Sequence, residues 1–168
     1  MRQVALDRDQ RRERGVVETQ FTFLGKNDRI EVRIVEAETC STACKSDSAW
    51  LDSTVTVQAG AFVGSFKASI TIDDLTCLQE QLKQALTSQG ETVSFQNTGG
   101  GLALSINLEG GEQISITGVA HPNRLREGIL VFRMDTDHFA LIHTLRELEN
   151  ALQEFPTTRT TDQEKLWS

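Results

Sequence analysis

The chain has 168 residues, of which 38% are hydrophobic, and its formal net charge at pH 7 is -7. This length is sufficient for one domain with a core of its own. The acidic balance argues against sequence-independent binding to nucleic acid or to an anionic membrane, because both need a basic face on the protein. An electropositive partner protein is the expected alternative.

The charge is unevenly distributed along the chain. The first 14 residues hold five Arg against two Asp and one Glu, a net of +2, which leaves -9 for the remaining residues. No apolar run approaches the roughly 20 residues that span a bilayer, and no apolar stretch follows the charged N-terminus as in a secretory signal. The odd cysteine count, Cys40, Cys44 and Cys77, fits a reducing compartment. We therefore expect a cytoplasmic protein with free thiols.

The first part of the chain has the pattern of strands. Residues 1–17 and 154–168 are polar, which predicts an Arg-rich mobile N-terminal tail and a mobile C-terminal tail around a single domain at residues 18–153. Apolar residues then alternate around Phe21, Ile30 and Trp50, which predicts three strands. The turn GKND at residues 25–28 joins the first two strands. The polar segment at residues 36–48 is expected to be a long surface loop.

The apolar period changes within FVGSFKASITIDDLTCLQEQL, residues 62–82. The even-numbered residues from 62 to 72 share one face of a predicted strand. After Asp73 the period becomes 3.6, which predicts a helix at residues 74–88 with Leu78 and Leu82 in the core. Because Asp is strongly preferred at helix N-caps, Asp73 and Asp74 are assigned to helix initiation rather than to chemistry.

The second part of the chain repeats this order. Strand patterns at residues 92–95, 102–108, 113–119 and 128–134 precede Asp135 and a helix predicted at residues 136–153. Leu145 and Leu148 are predicted to be core residues, on a stripe widened by Phe139 and Ile142. Short links between strands demand antiparallel pairing. We predict an α+β fold of order ββββα-ββββα, in which an antiparallel sheet of seven to eight strands, flat or curved, carries two helices on one face.

The segment DTDH, residues 135–138, combines two carboxylates with an imidazole that could ligate a metal ion or share a proton. Helical side chains one or two positions apart diverge, so a capped helix start is favoured. The pair Cys40 and Cys44 lacks a second pair of zinc ligands, and His121 stands alone. No hydrolase, nucleotide-binding or metalloprotease motif occurs. We expect a protein that is not an enzyme, with no catalytic residue, metal or cofactor.

A series of glycine, aromatic, acidic and aliphatic residues recurs along the chain in a fixed order, namely Trp50, Gly60, Phe62, Gly64, Asp74, Leu75, Leu82, Ile114, Ile116, Gly118, Phe132, Asp135 and Leu141. In this order the chain resembles the WapI family of bacterial immunity proteins over about residues 49–152. The chain departs from the family pattern after Asp135, where a Gln often follows and this chain has Thr136. The resemblance implies a non-catalytic protein that binds and neutralises a cognate toxin domain.

A basic toxin would be attracted to an exposed acidic surface. The sequence places four carboxylates in and beside the polar loop, Glu36, Glu38, Asp47 and Asp52, and these are the predicted partner-binding residues. The alternative for these residues is a solvated loop that aids solubility. The alternative for the protein is a small-molecule or protein-binding α+β module without enzymatic activity. A pocket of that module could be lined by Phe62, Phe66, Phe95 and Phe132. The sequence does not decide between a monomer and a dimer.

Overall fold

The computed structural model describes residues 18–35, 50–88, 91–108, 113–122 and 128–155. These residues form eight strands and two helices: β1 (Glu18–Leu24), β2 (Arg29–Val35), β3 (Trp50–Ala59), β4 (Phe62–Thr71), α1 (Ile72–Thr87), β5 (Thr92–Gln96), β6 (Leu102–Asn107), β7 (Ile114–Ala120), β8 (Leu130–Thr136) and α2 (His138–Glu154). The predicted order ββββα-ββββα is confirmed. The predicted loop at residues 36–48 and the predicted tails lie outside the described residues, except for Glu154, which ends α2, and Phe155, which is buried.

The strands pair antiparallel throughout, so the predicted α+β class is confirmed. They form two sheets rather than one continuous sheet. Sheet A has the order β1-β2-β3-β4 and sheet B the order β5-β6-β7-β8, so each strand pairs with the next one along the chain. Helix α1 separates β4 from β5, and the second run of strands therefore begins a new sheet.

Helix α1 begins with a capping box. Thr71 Oγ1 accepts a hydrogen bond from Asp74 N at 3.1 Å, and Asp74 Oδ2 accepts one from Thr71 N at 2.9 Å. The helix thus starts at Ile72, two residues before the predicted start, and its N-cap is Thr71 rather than either Asp. Asp73 and Asp74 lie in the first turn, where carboxylates interact favourably with the positive end of the helix dipole.

Asp74 also fixes the loop between β5 and β6. Its carboxylate accepts hydrogen bonds from Thr98 N at 2.9 Å and from Thr98 Oγ1 at 2.7 Å. The neighbouring Asn97 is buried, and its Nδ2 donates to Ser69 O at 3.0 Å and to Gly100 O at 2.7 Å. The start of α1, the end of β4 and this loop therefore form one hydrogen-bonded unit, which gives Asp74 a structural role.

Helix α2 begins one residue after its cap, Asp137, whose Oδ1 accepts from Ala140 N at 2.8 Å. Asp135, predicted to precede the helix directly, lies inside β8. The inclusion of Phe139 and Ile142 in the buried stripe is wrong, because their side chains are 84% and 39% exposed. The buried residues of the helix are Leu141, Thr144, Leu148 and Ala151, and Leu145 is only partly buried against the core.

Each helix closes the edge of the sheet built by the other half of the chain. On β1, Thr22 N donates to Glu147 Oε2 at 2.7 Å, and Thr22 O accepts from Thr144 Oγ1 at 2.7 Å. On β5, Ser94 N donates to Gln81 Oε1 of α1 at 3.2 Å. Gln81 and Glu147 are both the tenth residue of their helices. Gln81 and Glu147, which are 66 positions apart in the sequence, therefore make the same contact in the two halves of the chain.

One continuous core unites both sheets and both helices. Phe95 and Phe132 are core residues and Phe66 is partly buried, whereas Phe62 is 68% exposed, so the four aromatic side chains do not line a common pocket. Gly118 pairs with Phe132 across β7 and β8, and a Cβ on Gly118 would lie 2.1 Å from Phe132 Cζ. The aromatic ring therefore occupies the space above a position that only glycine can fill.

Replacement of Leu82, which is fully buried on α1, by Ala should lower the free energy of unfolding by about 2–5 kcal/mol, because it removes apolar contacts and leaves a cavity. Phe139→Ala is the control, since this large apolar side chain on α2 is 84% exposed, and its effect should stay within about 0.5 kcal/mol. Urea unfolding followed by circular dichroism measures both. Equal losses would show that the buried faces of the helices are misassigned.

The Asp74→Ala variant should lose about 1–3 kcal/mol of stability, since it removes the acceptors for both Thr71 and Thr98. Asp137→Ala removes the single cap contact to Ala140. The loss of a helix cap lowers the free energy of unfolding by about 0.5–2 kcal/mol, and we expect this variant to lie at the lower end of that range. Thermal and urea unfolding provide the comparison. If Asp74→Ala is no more costly than Asp137→Ala, the link from α1 to the β5–β6 loop contributes nothing.

Candidate partner-binding surface

Of the four predicted partner-binding residues, Asp52 is the one that the structure describes. Glu36, Glu38 and Asp47 lie outside the described residues. Asp52 is exposed on the outer face of β3, between Val35 on β2 and Ser69 on β4.

Two cations lie one cross-strand row away from Asp52. This row places Arg33 and Lys67 on either side of Thr54, and Lys67 Nζ donates to Thr54 Oγ1 at 3.0 Å. The immediate surroundings of Asp52 on sheet A are therefore mixed in charge, and the structure does not bring a second carboxylate next to it among the described residues.

The outer face of sheet A is held by ion pairs between neighbouring side chains. Glu31 forms an ion pair with Arg29 at 3.1 Å and accepts a hydrogen bond from Arg33 at 3.3 Å, and Arg33 also lies 3.4 Å from Glu18. Within residues 18–35 and 50–71, four carboxylates are matched by four Lys or Arg side chains. Sheet A and its described turns therefore carry no net charge.

Small uncharged side chains form most of the outer face of sheet B. One row consists of Ser94, Ser105, Thr117 and Arg133, and the row beside it of Thr92, Asn107, Ser115 and Asp135. Arg133 Nε and Asp135 Oδ1 are 3.9 Å apart and line an open cavity of about 200 Å³. Among the described residues of sheet B these two are the charged side chains, and they cancel. Sheet B is neutral as well.

The negative charge lies on the helices. The described residues hold thirteen Asp and Glu against seven Lys and Arg, a net of -6. Because the sheets are neutral, the whole of this charge lies on α1, on α2 and its cap, and at the start of β5. We call this region the acidic helix surface, and its carboxylates are Asp73, Asp74, Glu80, Glu91, Asp137, Glu147, Glu149 and Glu154.

Several of these carboxylates already have a structural task. Asp74 completes the capping box of α1, and Asp137 is the N-cap of α2. Glu147 accepts from Thr22 N and lies 3.7 Å from His143 Nδ1. Glu149 pairs with Lys83 at 3.0 Å, which links the two helices side by side. Three exposed carboxylates on this surface have no hydrogen-bond or ion-pair partner among the described residues, namely Glu80, Glu91 and Glu154.

Glu80 and Glu91 border the same open groove at the C-terminal end of α1. The groove has a volume of about 570 Å³, and its lining consists of Glu80, Lys83, Gln84, Thr87, Ser88 and Glu91. Lys83 is engaged with Glu149, so the unpaired charges at the groove are the two carboxylates. This lining can receive a cationic side chain from another molecule.

Sequence reasoning missed this surface although the signal was present. The polar positions between the core leucines of both predicted helices carry these carboxylates, and helical periodicity places them on the outward side. What could not be read from the sequence is that the two helices lie side by side, because that depends on tertiary contacts such as the ion pair of Lys83 and Glu149.

The segment DTDH does not form a catalytic or metal-binding constellation. Asp135 lies on β8, Asp137 caps α2, and His138 is partly buried at the first position of that helix. Within the described residues, no three His, Cys, Asp or Glu side chains are placed to hold a metal ion together.

Two further predictions concern cysteines and histidine. Cys77 is an exposed free thiol on α1, whereas Cys40 and Cys44 lie outside the described residues. His121 follows β7, where its N donates to Gly101 O at 2.8 Å.

Neither described helix has the length and apolar content needed to cross a membrane.

Comparison with known proteins identifies the family. The family model described as the Immunity protein WapI-like family matches residues 21–156, which is most of the chain and includes every described strand and helix except the first three residues of β1. No curated protein matches. The resemblance found in the sequence is thereby confirmed, and the chain belongs to the WapI-like family of immunity proteins.

Proposed function

We propose that this protein binds and neutralises a cognate bacterial toxin domain, without catalysis, and that the acidic helix surface contacts a basic region of that toxin. Membership of the immunity family supports the toxin as partner. The single observation that supports the surface is the location of the described net charge, -6 on the acidic helix surface and zero on the sheets.

A charge concentrated on one side has a physical consequence. Oriented like charges raise the rate of encounter with a partner of opposite sign and favour the orientation in which the two charged regions face each other. A mixed surface such as that of sheet A does neither, because neighbouring ion pairs cancel one another's field. Glu80, Glu91 and Glu154 are the carboxylates on this surface available for new ion pairs.

The loop residues Glu36, Glu38, Asp47 and Asp52 remain a second proposed contact. Asp52 lies on β3 of sheet A and is not one of the carboxylates of the acidic helix surface, so the two sets of residues can be substituted separately. The two cavities described above are open to solvent, unlike the clefts that usually bury most of a small molecule. They therefore give no specific support to a small-molecule binding module.

Co-expression with the product of the adjacent gene, as the candidate toxin, tests the proposed function. We expect the immunity protein to restore growth and to co-purify with the toxin. Leu82→Ala should weaken the rescue, since it destabilises the fold. Absence of both rescue and co-purification with the wild-type chain would contradict the proposed function.

Charge reversal tests the proposed surface. Glu80→Lys and Glu91→Lys should each slow association with the toxin, and the double variant should do so by roughly 10-fold at low salt, the lower end of what electrostatic steering contributes. The difference from wild type should shrink as salt is added, because screening acts beyond about 8–10 Å. Surface plasmon resonance at two salt concentrations measures both effects.

Asp135→Lys is the matched control, because it makes the same change in net charge on the neutral sheet B. Asp135→Lys should slow association much less than Glu80→Lys or Glu91→Lys. Replacement of Glu36, Glu38, Asp47 and Asp52 together by Lys tests the loop. An equal effect of Asp135→Lys and Glu80→Lys would show that overall charge matters and not its location.

A further inference from the structure

One edge of sheet A differs from the edges that the helices close. The edge of β1 is covered by Thr144 and Glu147, and that of β5 by Gln81. On β4, the final strand of sheet A, Asn97 Nδ2 caps Ser69 O near the C-terminal end. The stretch at residues 63–67, which we call the open edge of β4, has no such cover among the described residues.

The direction of the peptide groups along β4 follows from this cap. Since Asn97 reaches Ser69 O from the side away from β3, Ser69 turns its peptide groups outward, and residues two apart in a strand turn theirs to the same side. Val63, Ser65 and Lys67 therefore also direct N–H and C=O to the open edge. All three are exposed, and Val63 is 69% exposed. The adjoining Phe62 is 68% exposed. A row of unpaired strand groups is a template for another strand.

The inner face of the same stretch lacks a side chain. Gly64 lies between Phe62 and Phe66 on this face, and a Cβ placed on it would meet no described atom within 4 Å. Elsewhere in the molecule the equivalent space above a strand glycine is filled, since the ring of Phe132 covers Gly118 from the paired strand. A strand that brings an aromatic ring opposite Gly64 would fill this space in the same way.

We infer that the open edge of β4 pairs with the same edge of a second copy of the chain, antiparallel and centred on Ser65. In this register Ser65 faces its own equivalent, Val63 faces the second copy's Lys67, and Gly64 faces the second copy's Phe66. Three pairs of peptide groups then exchange hydrogen bonds, and Phe66 supplies the ring that Gly64 lacks. The two Lys67 side chains are not placed opposite each other.

Charge favours a second copy at this edge. Two copies of an acidic protein repel each other through their acidic helix surfaces, whereas sheet A carries no net charge in its described residues. Approach through sheet A therefore avoids the repulsion between like-charged surfaces. The inference does not depend on the toxin, and it leaves the acidic helix surfaces of both copies open to a partner.

Cross-linking tests the register. In the dimer, Ser65 and its equivalent lie on adjacent strands, about 5 Å apart, whereas Thr56 on β3 and its equivalent are separated by three strand spacings, about 14 Å. A Ser65→Cys variant of the full chain should give a covalent dimer with a bis-maleimide too short to bridge the longer distance. Thr56→Cys, which faces the same outer side of the sheet, should not exceed the wild-type background from the native cysteines.

Mass in solution tests the dimer itself. Light scattering on the eluting protein should give 37.4 kDa, twice the 18.7 kDa of one chain. Ser65→Pro removes an N–H that faces the open edge and not β3, so it should give a monomer with unchanged circular dichroism. Ser65→Ala keeps that N–H and should remain dimeric.

Two results would overturn the inference. One is a mass of 18.7 kDa at every concentration together with no cross-link above background in Ser65→Cys. The other is a dimer that persists in a folded Ser65→Pro variant, because the copies would then meet elsewhere. If Ser65→Pro does not fold, the cross-linking comparison of Ser65→Cys with Thr56→Cys decides the matter.

Discussion

The hydrogen bonds between α2 and the edge of β1 are the contact on which the rest of the architecture depends. Thr22 is buried, and an unpaired peptide group at a buried position costs about 1–3 kcal/mol. Thr144 and Glu147 satisfy its C=O and its N–H from a helix more than 120 residues further along the chain. This contact fixes where the last helix lies on the first strand and brings the two halves of the chain around one core.

The same constraint explains the position of the acidic helix surface. Because Gln81 of α1 closes the edge of β5 in the corresponding way, each helix is drawn across to the other half, and the two helices come to lie side by side. Their core faces point to the sheets, and their polar faces share one side of the molecule. Carboxylates from two distant segments of the sequence therefore lie on one surface.

Asp74 connects the start of α1 to a loop of sheet B. As part of the capping box it helps to start α1, and through Thr98 it holds the loop between β5 and β6, the first two strands of sheet B. Its match to the family pattern is therefore explained by folding, and no chemistry has to be assigned to it. The same holds for Gly118, whose role is to make room for the ring of Phe132.

The sequence by itself determined the strands, the two helices and their order, because the apolar period is a local property and changes where β4 and β8 give way to helices. Most of the helical carboxylates could be found in the same way. Only the tertiary structure decided that Thr71 is the cap, since its hydroxyl and Asp74 must meet in space. It also decided that Thr144 is buried while Phe139 is exposed, because Thr22 O supplies the acceptor that a buried hydroxyl needs. The gathering of the helical carboxylates on one surface likewise depends on the tertiary structure, because α1 and α2 are distant in the chain and lie side by side only in the fold.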